Sequence, residues 1–133
     1  MTRKMAKVLK TSKKVLVVED EGPLRELLVA EIKREGIGAL GAKDGEEGLS
    51  VALKEHPDLL LVDIIMPRKD GLEMVKALRA DSWGKDAAVV LLTNLNDSEK
   101  IAQAIEYGAR EYLVKADWKI EAVIQMVKDK VGG

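Results

Sequence analysis

Five polar residues stand where apolar runs of this sequence stop. Glu19 and Asp20 follow the run over 15–18, Asp63 follows 59–62, Thr93 follows 87–92 and Lys115 follows 112–114. Short apolar runs bounded by turn formers read as buried strands, so each of these side chains is held at the lip of a rigid sheet. Three carboxylates gathered without a counter-charge repel one another and raise each other's pKa. A hard divalent cation relieves that repulsion, and a set of oxygen ligands without His or Cys favours Mg2+. Asp63 can then attack phosphorus as a carboxylate nucleophile. The metal and Lys115 neutralise charge on the transferring group, and Thr93 adds a hydroxyl donor. Phosphoryl transfer is the chemistry that suits these residue types. Taken singly, each has an ordinary explanation: Asp20 as a helix cap, Thr93 as a turn residue, Lys115 as a strand-end charge. Their recurrence at successive strand ends carries the reading.

The elements that must bring them together alternate regularly. The first strand, 15–18, leads to Pro23 in the first turn of a helix, with Leu24, Leu27, Leu28 and Ile32 at helical spacing and Gly36 as its stop. A weak, glycine-interrupted strand covers 37–42. Asp44 is placed to cap a second helix with Leu49, Ala52 and Leu53 on its apolar stripe, ended by His56 and Pro57. The third strand runs to Asp63, and Pro67 turns it into a loop. Asp70 and Gly71 start a third helix carrying Leu72, Val75 and Leu78. The fourth strand ends at Thr93. Asp97 or Ser98 caps a fourth helix with Ile101, Ala104 and Ile105 inward, stopped by Gly108. A short fifth strand ends at Lys115. Asp117 is placed to cap the last helix, where Ile120, Val123, Ile124, Val127 and Val131 form one stripe.

Continuous apolar strands alternating with amphipathic helices imply a parallel sheet covered on both faces. The expected fold class is α/β, a flavodoxin-like, doubly wound (βα)5 unit with strand order 2-1-3-4-5. In such a sheet the carboxyl ends of the strands share one edge, and ligands bind there at the topological switch point. Strands one, three and four are neighbours, so Glu19, Asp20, Asp63, Thr93 and Lys115 converge on one crevice.

Composition narrows the function classes. With 133 residues the chain is expected to form one domain with a single core. Phe is absent and aromatics are 3%, so the core is built from Leu, Ile, Val, Ala and Met. A net charge of −1 argues against nucleic acid as a partner. The absence of Cys excludes disulfides, thiolate zinc sites and a Cys nucleophile. The longest apolar runs, about six residues, are far short of a membrane span, and no apolar segment opens the chain as in a secretory signal. A cytoplasmic protein is expected. Residues 1–14 hold six Lys or Arg and no acid, and 1–12 read as a basic, flexible tail ahead of the domain over 13–133. His56, the only histidine, is expected on the surface, Trp83 and Trp118 half-exposed, and the Met residues filling gaps.

With these residues in order, the chain resembles a response-regulator receiver domain, the phosphoacceptor module of two-component signalling, over about residues 13–131. The resemblance rests on the acidic pair Glu19 and Asp20, on Asp63, on Met66, Pro67, Asp70 and Gly71 after it, and on Thr93, Tyr112 and Lys115. It implies that Asp63 accepts a phosphoryl group from a phosphohistidine on a sensor kinase or phosphotransfer protein. It implies that Asp20, Asp63 and the backbone carbonyl of Ile65 hold Mg2+, with Glu19 acting directly or through water. Thr93 and Tyr112 would be the switch residues, altering the face of helix four, strand five and helix five toward a downstream protein target or a phosphorylation-dependent dimer. The expected role is that of a stand-alone switch and not of a turnover enzyme.

The sequence departs from the family pattern at four positions. Ala116 stands where Pro usually follows the lysine, so the cis Lys–Pro bond common in the family is lost. Asn94 replaces a usually small residue after Thr93. Ile65 and Leu95, two residues beyond Asp63 and Thr93, are apolar and cannot orient an attacking water, which implies a long-lived aspartyl phosphate. A Mg2+-dependent phosphatase of haloacid-dehalogenase type would need a second Asp two residues after the nucleophile, where Ile65 stands. The alternative class is a constitutive protein- or nucleic-acid-interaction module on the same scaffold, which Ala116 and Asn94 keep open and the acid, Asp, Thr and Lys set opposes.

Overall fold

The structure is a computed structural model and describes residues 13–66, 68–93, 98–109, 111–115 and 118–132. The basic tail over 1–12, Pro67, Asn94, Leu95, Asp97, Ala116 and Asp117 lie outside the described residues, as does the bond from Lys115 to Ala116. Strands and helices alternate: β1 (Lys14–Val18), α1 (Gly22–Arg34), β2 (Gly38–Ala42), α2 (Gly45–Glu55), β3 (Leu59–Asp63), α3 (Gly71–Arg79), β4 (Val89–Thr93), α4 (Ser98–Glu106), β5 (Glu111–Val114) and α5 (Ile120–Val131). A 3-10 turn, Gly84–Asp86, precedes β4. The five strands pair in parallel in the expected order 2-1-3-4-5.

Strand side chains alternate between two covered faces. Leu16, Val18, Leu60, Val62, Val89 and Leu91 face α2, α3 and α4, packing with Ala52, Met74, Val75, Leu78 and Ala104. Val15, Val17, Leu59, Leu61, Val90 and Leu92 face α1 and α5, packing with Leu28, Ile32, Val123, Ile124 and Val127. Every residue of β3 and β4 is buried, which is why these strands read as unbroken apolar runs.

The helix starts and stops follow local chemistry. Pro23 sits in the first turn of α1, and Gly36, at φ 82°, follows its end. The Asp44 carboxylate accepts the Glu47 N–H and caps α2. Asp70 and Glu73 form a reciprocal capping box on α3. Gly108, at φ 85°, follows α4. The Arg79 guanidinium donates to the carbonyls of Gly84 (2.7 Å), Ala87 (2.8 Å) and Gly108 (3.2 Å), tying the end of α3 to the start of β4 and the α4–β5 turn. His56 is exposed and stacks on the half-buried Trp83, ring centroids 4.4 Å apart. Among the described residues no helix is long and apolar enough to cross a membrane.

The structure corrects four expectations. Leu27, Leu53 and Ile105 were expected on buried stripes but are 47%, 37% and 46% exposed. Each adjoins a core residue in sequence (Leu28, Ala52 and Ala104), and one helical step of about 100° turns it toward solvent. The fourth concerns α5. It begins at Ile120 with Lys119 in extended conformation as its N-cap, later than a cap at Asp117 would give. Trp118 packs against the sheet's α1–α5 face ahead of the first turn, so the helix starts beyond it.

Candidate functional site

The register of the sheet brings the strand-end residues together. Val18 pairs with Val62, so Glu19 comes level with Asp63. Asp63 pairs with Leu92, which sets Thr93 one step further on the neighbouring strand. Thr93 pairs with Val114, so Lys115 follows at the end of β5. Backbone bonds continue past the strands and hold these ends: Glu19 N–H to the Ala42 carbonyl (3.0 Å), Ile64 N–H to Leu92 (3.1 Å) and Lys115 N–H to Thr93 (2.7 Å).

The resulting crevice is largely buried and charged. Glu19 is fully buried, Asp63 is 4% exposed and Thr93 1%, while Asp20 faces solvent. One carboxylate oxygen from each of Glu19, Asp20 and Asp63 lies within 4.8 Å of the others. The Lys115 ammonium bridges two of the acids, 2.7 Å from Glu19 Oε1 and 3.0 Å from Asp63 Oδ2. The second Glu19 oxygen accepts the Glu21 N–H at 3.1 Å, and Arg25 donates to the Glu19 backbone carbonyl at 2.9 Å, so this residue is held at both its side chain and its backbone.

Burial, followed by the neighbouring Glu19 charge, pushes the Asp63 carboxyl up from 3.8 to about 7, against the opposing pull of Lys115. For Lys115 burial favours the neutral amine. The hydrogen bonds to Glu19 and Asp63 outweigh it and hold the ammonium above its ordinary range. One lysine therefore leaves the carboxylates under-neutralised. Three oxygen donors without nitrogen or sulfur, short of positive charge, fit a hard divalent ion such as Mg2+.

Glu19, Asp20, Asp63, Thr93 and Lys115 are thus all at this edge of the sheet. Ile65 lies in the turn after β3 with its side chain 46% exposed. Tyr112 is on β5 and also 46% exposed, its ring turned outward. In the sequence Asp44 reads only as a helix cap, Asp70 and Gly71 as a helix start and part of the family pattern, and Gly45 carries no signal. In the structure they hold the 64–70 loop that follows the phosphorus-reactive candidate. A Cβ on Gly71 would overlap the carbonyl oxygen of Asp63 itself, so α3 can approach this close only with glycine there. Asp70 pairs with Lys100 of α4 at 2.7 Å. Burial acts against the Asp70 carboxylate, but its bonds to Lys100 and to the Glu73 amide hold its pKa below the usual carboxylate value.

Residues 15–128 match the family model of the response regulator receiver domain. The chain belongs to that family. It is a receiver domain of a two-component response regulator, and receivers are signalling proteins, not turnover enzymes. It is 36% identical over 120 residues to a probable transcriptional regulator ycf27 of Porphyridium aerugineum, covering 89% of this chain and 49% of that protein. It is 32% identical over 104 residues to the phosphate regulon transcriptional regulatory protein PhoB of Escherichia coli K12, covering 78% and 45%. The chain spans about half the length of the curated relatives it matches. Among solved structures the receiver is similar to the chemotaxis protein CheY4 of Vibrio cholerae, with TM-score 0.80 and 31% identity over 88% of this chain and 97% of that one. It is also similar to the Francisella response regulator 1452 receiver domain, with TM-score 0.78 and 27% identity over 90% and 96%.

Proposed function

We propose that Asp63 is the phosphoacceptor of a phosphorylation switch. The observation that carries this is the placement of its buried carboxylate, within 4.8 Å of Glu19 and Asp20 oxygens and 3.0 Å from the Lys115 ammonium. A carboxylate oxygen of Asp63 attacks the phosphorus of a phosphohistidine on a sensor histidine kinase or phosphotransfer protein. The O–P bond forms as the N–P bond breaks, and the imidazole leaves with the electron pair. Glu19, Asp20, Asp63 and the Ile65 backbone carbonyl would hold Mg2+, which when bound supplies positive charge to the carboxylates and to the phosphoryl oxygens. Lys115 moves from bridging two carboxylates to pairing with the phosphoryl group, and the Thr93 hydroxyl donates to it.

Phosphorylation adds up to about two negative charges at one buried point. Thr93, one register step from Asp63, answers that charge, and Tyr112 follows by turning its exposed ring inward. The face formed by α4, β5 and α5 then shifts between two states with different preference for a downstream protein target or a second receiver. The reading places this exchange in the cytoplasm. A stand-alone switch is its finer form, and the mass of the protein isolated from its own cells tests that point.

Incubation with Mg2+ and a small phosphodonor, followed by intact mass, tests the central step. One added phosphoryl group on wild type, absent from Asp63→Asn and from wild type in EDTA, supports the reading. Equal incorporation in Asp63→Asn overturns it.

A further inference from the structure

The loop from Ile64 to Asp70 carries the Ile65 carbonyl, and two glycine amides close it. At one end Gly71 N–H donates to the Ile64 carbonyl at 2.8 Å. At the other, Gly45 N–H, at the first residue of α2, donates to the Lys69 carbonyl at 2.9 Å. What Gly45 contributes is closeness. A Cβ there would overlap the Lys69 carbonyl oxygen and stand 2.7 Å from its carbonyl carbon, backbone atoms that cannot rotate aside. The preceding residue adds a second hold. Asp44 is 3% exposed; its Oδ1 accepts the Glu47 N–H at 2.8 Å, and its Oδ2 lies 3.6 Å from Arg68 Nε. Arg68 sits at φ 65°, a left-handed conformation that a non-glycine residue keeps only where its surroundings impose it.

We propose that Asp44 and Gly45 are positioning residues for the phosphoacceptor site. They clamp the far side of the 64–70 loop to the start of α2 and so fix the Ile65 carbonyl relative to Asp63 and Glu19. The proposal rests on the Mg2+-dependent reading above. It assigns to a helix N-terminus that touches neither ion nor phosphoryl group a share in the affinity of the site. Gly71 holds the near side of the loop on β3, and Gly45 holds the far side on a different helix. The two bonded carbonyls, of Ile64 and Lys69, are five positions apart in the sequence, so losing the hold at Lys69 loosens the chain close to Ile65.

Mg2+ affinity by calorimetric titration separates this from a purely structural role. Gly45→Ala improves helix propensity at its position, so any loss comes from the contact with Lys69. We expect Mg2+ affinity to fall roughly 10–100-fold, the range for residues that orient metal ligands. Gly84→Ala is the control. Its Cβ would overlap the Leu78 carbonyl oxygen, beside the 3-10 turn ahead of β4 and so at the opposite edge of the sheet. It should lower stability while leaving Mg2+ affinity within about twofold of wild type. Arg68→Gln adds a test by sign and stands in if Gly45→Ala does not fold. Removing a positive charge from this loop strengthens cation binding by electrostatics alone, whereas a loosened clamp weakens it, and weakening is expected. Gly45→Ala within about twofold of wild type, an equal loss in Gly84→Ala, or a gain in Arg68→Gln overturns the clamp. Wild type that binds no Mg2+ overturns the underlying reading and the clamp with it.

Discussion

Replacing Asp63 by Asn should make the metal-free protein more stable at neutral and alkaline pH, although it removes the proposed phosphoacceptor. The Asp63 carboxyl is raised from 3.8 to about 7 by burial and by Glu19. Below the unfolded value both states hold the proton and stability is full. Between that value and about 7 the unfolded chain has released the proton and the folded chain has not, so stability falls as pH rises. Above about 7 the whole cost is present. Carried through at 1.36 kcal/mol for each tenfold step, the interval corresponds to a ceiling of roughly 4 kcal/mol. Relaxation and water entry around a buried charge reduce such costs, which leaves about 1–3 kcal/mol. Asn is neutral at every pH and keeps an oxygen for Lys115. Urea unfolding in EDTA at pH 4 and pH 8, followed by tryptophan fluorescence, reads the difference. The midpoint of Asp63→Asn should exceed that of wild type by about 1 M at pH 8 and by far less at pH 4. Saturating Mg2+ should narrow the gap by stabilising the folded wild type. A variant no more stable than wild type at pH 8, or a gap that ignores pH, would refute the electrostatic account of the crevice.

Three other perturbations follow from the same geometry. Lys115→Met leaves Glu19 and Asp63 buried without their shared cation, and thermal melts in EDTA should show a loss of roughly 3–5 kcal/mol at pH 8. That loss should shrink as Asp63 takes up its proton at lower pH, and Mg2+ should recover part of it. Asp70→Ala removes the α3 capping box and the 2.7 Å pair with Lys100, at a cost of about 1–2 kcal/mol. The Asp70 pKa is lowered, so its contribution is present above the ordinary carboxylate range and lost as pH falls through the folded value; denaturation curves of variant and wild type should converge in acid. Finally, Ile65 cannot orient water, so the wild-type aspartyl phosphate should outlast those of Ile65→Asn and Leu95→Glu when decay is followed by intact mass. Faster decay in wild type contradicts that assignment.

The sheet order and the edge holding the reactive residues were legible because β1, β3 and β4 are buried on both faces. Their apolar runs stop at Glu19, Asp63 and Thr93, and parallel pairing does the rest. The side-chain periodicity was less exact. It marks the centre of a helix stripe but not its width, so Leu27, Leu53 and Ile105 were read as inward when one helical step turns each outward. The start of α5 was misplaced because Asp117 is a good cap in isolation, whereas the packing of Trp118 decides where the helix can begin. The grip of α2 on the phosphoacceptor loop left no usable signal. The contact of Gly45 with Lys69 joins backbones 24 residues apart, and a glycine at the start of a helix reads equally well as a turn. Nor does the sequence order the acidic pair by depth; the structure buries Glu19 beneath Lys115 and leaves Asp20 in solvent.

Locating the modified side chain tests the central claim most directly. Protein incubated with Mg2+ and a phosphodonor can be treated with borohydride, which reduces an acyl phosphate to the alcohol, and the peptides then weighed. The account predicts one reduced residue, at Asp63, dependent on Mg2+. Reduction at Asp20 or Glu19 instead, or a phosphoryl group that resists borohydride because it is not on a carboxylate, would contradict it.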